Sequence, residues 1–301
     1  MKTTIFGIEI EFTGITRKQA ADAAAAFFGG TVSHGGGYDG YYTYDNRGRK
    51  WAFLRDASIH PMRKERGRKV GAPDDYKVEL VTPILTYGQD MDALQELIRR
   101  LRKAGAFTDP QHCGIHIHLD GAPHTARSIR NWVNIIASRN DLLYKALQIE
   151  PARKRWCKEL DADLVRRMNA RRPKTLAQIE EIWYEGYGEP RGNHYHSSRY
   201  AFLNLHSFFH GNGTVELRGF NATLHAGKVR AYVALALAMN QQALTQTKAS
   251  ARKSQTENEK FAMRTYLTRI GLNGDEFANC REHLCKHLDG NAAWRFGQQG
   301  A

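Results

Sequence analysis

Four short segments of this chain carry charged or imidazole side chains at every second position. That alternation makes them strands of a sheet with one apolar and one polar face. They read Gly7-Ile8-Glu9-Ile10-Glu11-Phe12, Val78-Glu79-Leu80-Val81, Gly114-Ile115-His116-Ile117-His118-Leu119 and Val215-Glu216-Leu217-Arg218. Successive strand side chains point to opposite faces, so Glu9 and Glu11 share one face while Ile8, Ile10 and Phe12 share the other. His116 pairs with His118 in the same way, and Glu216 with Arg218. If the four strands belong to one sheet, an acidic, imidazole-rich surface lies over an apolar core.

Such a surface has to be neutralised. Two like charges about 4 Å apart repel by roughly 4 kcal/mol at an effective dielectric near 20. Several such pairs would rival the stability of a whole domain, roughly 5–15 kcal/mol. Protonation, arginine partners or divalent cations can relieve the repulsion. With only Arg218 and Arg199 expected nearby, cations are the economical answer. Carboxylates with one or two imidazoles suit hard ions such as magnesium or manganese. Magnesium commonly rests on a few carboxylates together with substrate phosphates, which extends the inference to a nucleotide. Two other readings stay open at this point. The strands could present a merely solvated face, or His116-x-His118 could hold zinc in a hydrolase.

Composition narrows the classes. The 301 residues are 42% hydrophobic, enough for one large domain or two small ones. A formal net charge of +13 suggests an anionic partner: nucleotide, acidic substrate, nucleic acid or membrane surface. Glutamates interrupt the first apolar stretch, so no signal peptide is expected there. The longest apolar run, Ala231 to Met239, is too short to span a bilayer. Four cysteines do not read as a disulfide framework. The expectation is a soluble, cytoplasmic protein, with oligomeric state unread.

Along the chain, Thr16 can cap a helix over about 17–28 that Gly29 and Gly30 end. Residues 33–48, rich in glycine and tyrosine, read as loop, and Lys50 to Arg55 as a strand ending in the turn Asp56-Ala57-Ser58. The run from Arg63 to Lys69 reads as a basic, solvated loop. Met91, Leu94, Leu97, Ile98 and Leu101 predict a helix near 89–103. Residues 126–185 read as three helices, the second over 152–169 with Arg153 to Lys174 as a solvated face. Trp156 and Trp183 are expected to pack. Arg199 to Phe208 and Thr214 to Phe220, around Gly211-Asn212-Gly213, predict a hairpin. A helix over about 226–246 follows. The residues from 249 on read as a helical, peripheral extension of a catalytic domain spanning 1–248. Cys280, His283, Cys285 and His287 invite a zinc reading, but Cys285 points away from the others, so an ordinary helix is expected. Cys113 is expected to pack rather than react.

Taken in order, Gly-Ile-Glu-Ile-Glu-Phe (7–12), Trp51 with Asp56-x-Ser58, Val-Glu-Leu-Val-Thr-Pro (78–83), Cys-Gly-Ile-His-Ile-His-Leu (113–119), Arg199 to Asn204 and Thr-Val-Glu-Leu-Arg (214–218) resemble the amidoligase family. That family belongs to the glutamine-synthetase-like carboxylate–amine ligases, and the resemblance covers about residues 5 to 245. It implies an α+β fold, with a curved, mainly antiparallel sheet, helices outside, and ATP with two or three Mg2+ (or Mn2+) ions on the concave face. It further implies that Glu9, Glu11, Glu79, His116 and Glu216 ligate metal. His116, His118, Arg218 and Asn204 would face the nucleotide, and Arg218 and Arg199 the transferring phosphoryl group. Some relatives use two glutamates where only Glu79 stands here, which leaves the number of ions open.

The activity implied is ATP-dependent formation of an amide or peptide bond from a carboxylate and an amine through an acyl phosphate. Asp56 is the candidate acceptor of the amine's proton. The Gly/Tyr loop at 33–44 is a candidate cover for the acyl phosphate. A zinc hydrolase using His116 and His118, or a basic nucleic-acid-binding protein with a degenerate ligase face, are the alternatives. Neither the acid nor the amine can be read from these residues.

Overall fold

The computed structural model describes residues 1–253 and 256–293. Its strands are β1 (Ile5–Phe12), β2 (Ser33–His34), β3 (Tyr41–Tyr44), β4 (Lys50–Leu54), β5 (Met62–Glu65), β6 (Arg68–Gly71), β7 (Val78–Val81), β8 (Leu85–Thr86), β9 (Gly114–Asp120), β10 (Leu203–Asn204) and β11 (Thr214–Asn221). Its helices are α1 (Arg17–Phe28), α2 (Tyr87–Lys103), α3 (Ala126–Ala146), α4 (Ala162–Arg171), α5 (Leu176–Tyr184), α6 (His206–His210), α7 (Ala226–Thr245), α8 (Glu259–Arg269) and α9 (Ala278–Cys285).

The architecture is mixed α and β around an open, antiparallel sheet in the order β10-β11-β9-β1-β7-β4-β3-β2, with β8 beside β1. The four alternating segments are therefore immediate neighbours, β11-β9-β1-β7. Register places Glu9 opposite His116, Glu11 opposite Glu79, Glu216 opposite His118, and Asn204 opposite Glu216. On the other face, Ile8, Ile10, Phe12, Leu80, Ile115, Ile117 and Leu217 are sealed from solvent. Helices α1, α2, α3 and α7 pack against one another and over this side. Burying a large aliphatic or aromatic side chain is worth about 1.5–3 kcal/mol, so the apolar half of each alternation fixes which face turns inward. A one-residue slip would bury the carboxylates instead.

Local signals account for several boundaries. Thr16 accepts a hydrogen bond from the Gln19 amide while the Gln19 side chain returns one to Thr16 N, and Gly29 ends α1 at φ 74°. In β11 an extra residue sits between Leu217 and Phe220. This bulge keeps Phe220 in the core while Glu216 and Arg218 stay on the polar face. Gly219 lies under the Phe202 ring, where an added Cβ would sit 2.0 Å from ring carbons.

Other expectations are corrected. Residues 33–48 are not all loop, because Tyr41–Tyr44 pairs with β4 and extends the sheet. Arg63 to Lys69 is not an irregular loop: β5 and β6 form a two-stranded ribbon, with Lys64 and Lys69 paired across it over the Phe107 ring. The helix expected over 152–169 breaks into a 3-10 turn at Pro151–Arg155 and α4, because Asp161 caps a new start by accepting from Leu164 N. The strand expected over 199–208 shrinks to β10. Arg199 ends a 3-10 turn, and the Asn204 side-chain oxygen takes the His206 and Ser207 amides, turning the chain into α6.

Beyond α7, α9 packs back against α7 with Cys280 and Cys285 buried. His283 meets the His225 ring, and among the described residues no metal-type grouping forms there. Among the described residues no helix is long and apolar enough to cross a membrane.

Candidate active site

The polar face of β11-β9-β1-β7 floors a cleft of about 970 Å3. Sheet residues Glu9, Glu11, Glu79, His116, His118, Asn204, Glu216 and Arg218 line it. Its walls come from the Arg55–Ser58 segment after β4, from Arg153 and Trp156, and from the 194–212 segment carrying Arg199. All ten residues expected from the sequence to act thus face one cavity. Arg199 stands apart from the sheet: its guanidinium donates to the His194 carbonyl at 2.9 Å and lies near the Tyr195 and Tyr200 rings.

Carboxylates and imidazoles alternate across the floor. Glu9 meets His116 Nδ1 at 2.9 Å and His118 Nε2 at 3.2 Å. His116 also stands 3.7 Å from Glu11 and 4.0 Å from Glu216. The Glu216 carboxylate accepts from Arg218 Nη1 at 2.5 Å and from Asn204 Nδ2 at 2.6 Å. Glu11 accepts from the Gly114 amide at 2.6 Å. The Asp56 carboxylate accepts from Ser58 N at 2.6 Å, the turn expected there.

Without cations the face is neutralised by a mixture of protons and pairing. Burial raises the Glu9 pKa, but His118 and His116 outweigh it and hold this carboxyl well below its ordinary value. Burial likewise opposes ionisation of Glu216, and Arg218 with the two imidazoles overcomes it. Burial pushes the His118 pKa down, yet Glu9 and Glu216 lift it to about 9. For Glu79 the opposing charge of Arg218 is outweighed. Burial, followed by Glu9, Glu11 and Asp56, drives its pKa well above the carboxylate range. Glu11 is raised by burial, with His116 opposing. The sheet thus supplies imidazole and guanidinium partners on the Glu9 and Glu216 side, while burial and neighbouring carboxylates favour a proton on Glu11 and Glu79.

Ligand-type atoms fall into three adjoining groupings, each with its atoms within 4.8 Å of one another: Glu9 with His118 and Glu216, Glu9 with Glu79 and His116, and Glu11 with Asp56 and Glu79. Glu9 is shared by the first two and Glu79 by the last two. The result is a row of three oxygen-rich positions along the cleft floor. No grouping among the described residues takes both His116 and His118.

Two residues were misjudged from sequence. Arg153, expected on a solvated face, is buried, and its guanidinium donates to the carbonyls of Phe220 at 2.7 Å and Arg218 at 3.3 Å. A bulge interrupts the ladder at that stretch of β11. Gly114 makes room for this guanidinium, since a Cβ there would lie 2.2 Å from Arg153 Nη2. Trp156, expected only to pack, faces the cleft. Nothing in the local pattern marks either residue, because Arg153 is held by carbonyls of a distant strand and Trp156 meets the Tyr200 ring. Trp183 is buried as expected, and so is Cys113, whose thiol pKa is raised by burial. From the Gly/Tyr segment, Tyr38 reaches the cleft and its hydroxyl faces that of Tyr195 on the opposite wall.

The antiparallel sheet thus floors one cleft with four carboxylates, two imidazoles and an arginine, and Asp56 adds a fifth carboxylate from the wall. The sequence model of the family described as "Putative amidoligase enzyme" matches residues 2–240, and the chain belongs to that family. No curated protein matches it.

Proposed function

We propose that the protein is an ATP- and Mg2+-dependent carboxylate–amine ligase that forms an amide or peptide bond through an acyl phosphate, on a catalytic sheet of the glutamine-synthetase-like kind. The row of three adjoining carboxylate-rich groupings in one cleft carries this reading. Hard divalent ions take oxygen ligands and are commonly shared between carboxylates and nucleotide phosphates. A cleft of about 970 Å3 accommodates a nucleotide beside a small acid.

In this reading Glu9, Glu11, Glu79, His116 and Glu216 hold the ions, which when bound neutralise phosphate oxygens and polarise the transferring group. Arg218 is fixed by Glu216 and offers the rest of its donor fork to the phosphoryl oxygens. Arg199 approaches from the opposite wall and adds a second cation. Asn204 and His118 border the nucleotide phosphates. Asp56, oriented by the Ser58 amide, accepts the amine's proton as nitrogen attacks the activated carbonyl. Tyr38 and Tyr195 close the mouth and keep water from the acyl phosphate. The substrates are a small-molecule or peptide carboxylate and an amine.

Incubating the protein with ATP and Mg2+ across a panel of carboxylates and amines tests this. ADP and phosphate should appear only when acid and amine are both present, in step with amide product. Hydrolysis of an amide or ester supported by zinc, with no nucleotide consumed, would overturn the assignment.

A further inference from the structure

A second set of metal-type ligands lies on the cleft's rim, apart from the floor carboxylates. His60, Asp109 and His112 each bring one ligand atom within 4.8 Å of the other two. They come from two separate segments. His60 follows the Asp56–Ser58 turn, and Asp109 with His112 belong to the turn that leads into β9.

Both segments are held by their backbones. The Asp109 carbonyl accepts from His112 N at 3.1 Å and Cys113 N at 2.8 Å, and its Oδ1 accepts from Gln111 N at 3.1 Å. Next to His60, Ile59 is buried, and the Pro61 carbonyl takes the Ala72 amide at 3.0 Å. Thr13 joins the two sides, because its hydroxyl bonds Met62 while its backbone pairs with Phe107. The ligands therefore sit on preformed turns, which lowers the ordering cost of binding an ion.

An Asp–His hydrogen bond within a turn would by itself explain Asp109 and His112, whose Oδ2 and Nδ1 lie 2.8 Å apart. It does not explain His60. That imidazole comes from the neighbouring segment, lies edge-on to His112 with ring centroids 5.4 Å apart, and makes no hydrogen bond among the described residues. With Asp109 Oδ2 and His112 Nδ1 already 2.8 Å apart, an ion bound by both would replace the proton that joins them. Donor atoms on a tetrahedral zinc ion stand about 3.3 Å apart at bond lengths near 2.0–2.1 Å, so small side-chain rotations close the set.

We propose that His60, Asp109 and His112 form a three-ligand rim site for a borderline divalent ion of the zinc class. Two imidazoles and one carboxylate prefer such an ion to magnesium, whereas the floor groupings, each with at least two carboxylates, prefer the harder ion. His112 lines the cleft, so an ion held by the three side chains would stand at its edge. A bound ion would staple the segment carrying Asp56 to the turn that precedes Gly114, whose amide holds Glu11. The proposal is independent of the ligase reading, since it uses none of the floor residues.

Titrating tag-free protein with Co2+ in saturating Mg2+, followed by visible absorption, tests it. One Co2+ should bind with the spectrum of a site containing imidazole ligands, and Zn2+ should displace it. His60→Ala, a change at an exposed position, should weaken binding tenfold or more, as should His112→Ala, while Glu79→Gln leaves it unchanged. Affinity should fall in acid, where imidazoles protonate. Wild-type protein that binds no Co2+, unaltered binding in His60→Ala, or loss of the signal in Glu79→Gln would overturn the proposal. The last outcome would put the ion on the cleft floor.

Discussion

Glu9→Gln should lower Mg2+-dependent ADP release by about a thousandfold or more, with the fold intact. The substitution preserves shape and removes one charge at a residue that two of the three groupings share. Losing a single preorganised electrostatic contact commonly costs about a hundred- to a thousandfold in turnover, and Glu9 would serve two ion positions at once, so the upper end is expected. It would also release both imidazoles that now pair with it at 2.9 and 3.2 Å. Glutamine at position 9 should therefore weaken Mn2+ binding in parallel with the rate. Steady-state ADP release and Mn2+ titration on the same preparations measure both. Turnover within tenfold of wild type would show that the carboxylate is not a ligand.

The second large effect is on stability. The cation-free protein should lose stability as pH rises from about 6.5 to about 9, above the range in which His206, His124, His283 and His287, whose pKa values are lowered, add an opposing slope, and saturating Mg2+ with nucleotide should flatten that loss. Glu79 has a folded pKa raised well above its ordinary 4.5, so the native state binds more protons than the unfolded chain above that pH. Its contribution is fully present below about 4.5 and is lost as pH climbs through the raised value. His118, lifted from 6.5 to about 9, acts with the same sign. Its pairing with Glu9 and Glu216 stabilises below 6.5 and fades as pH passes about 9. Glu9 and Glu216, whose pKa values are depressed, already contribute fully above 4.5 and add no slope in this window. Divalent ions replace these protons. Glu79→Gln should accordingly raise the melting temperature of the cation-free protein at pH 8 by roughly 3 °C or more, and should reduce the further rise on adding Mg2+ with nucleotide. Thermal melts across pH, with and without the ions, would show it. A wild-type melting temperature that climbs between pH 6.5 and 9 would contradict the charge arrangement.

The site was legible in the sequence to the extent that strand periodicity carries it. The alternation in residues 7–12, 78–81, 114–119 and 215–218 marks both the core face and the charged face, and hydrogen bonding then aligns the two. Glu9 opposite His116 and Glu11 opposite Glu79 follow once the strands are neighbours. Adjacency itself is not local information, which is why the solvated-face alternative stayed open until the strand order was known. Arg153 was invisible for the same reason, as its burial depends on a bulge more than sixty residues away and on the missing side chain of Gly114. The 199–208 region looked like a strand by composition, but Asn204 spends its side-chain oxygen on two amides and starts a helix. In the ribbon at 62–71, charge hid the strand pairing: Lys64 and Lys69 face each other across it and rest on Phe107 rather than burying themselves.

Crystals soaked with Mn2+ and a nonhydrolysable ATP analogue test the central claim most directly, because manganese can be located by its anomalous scattering. Two or three peaks should lie within about 2.5 Å of carboxylate oxygens or imidazole nitrogens of Glu9, Glu11, Glu79, His116 and Glu216, with the triphosphate bridging them. Nucleotide bound elsewhere, or a floor without manganese while the analogue occupies the cleft, would contradict the account.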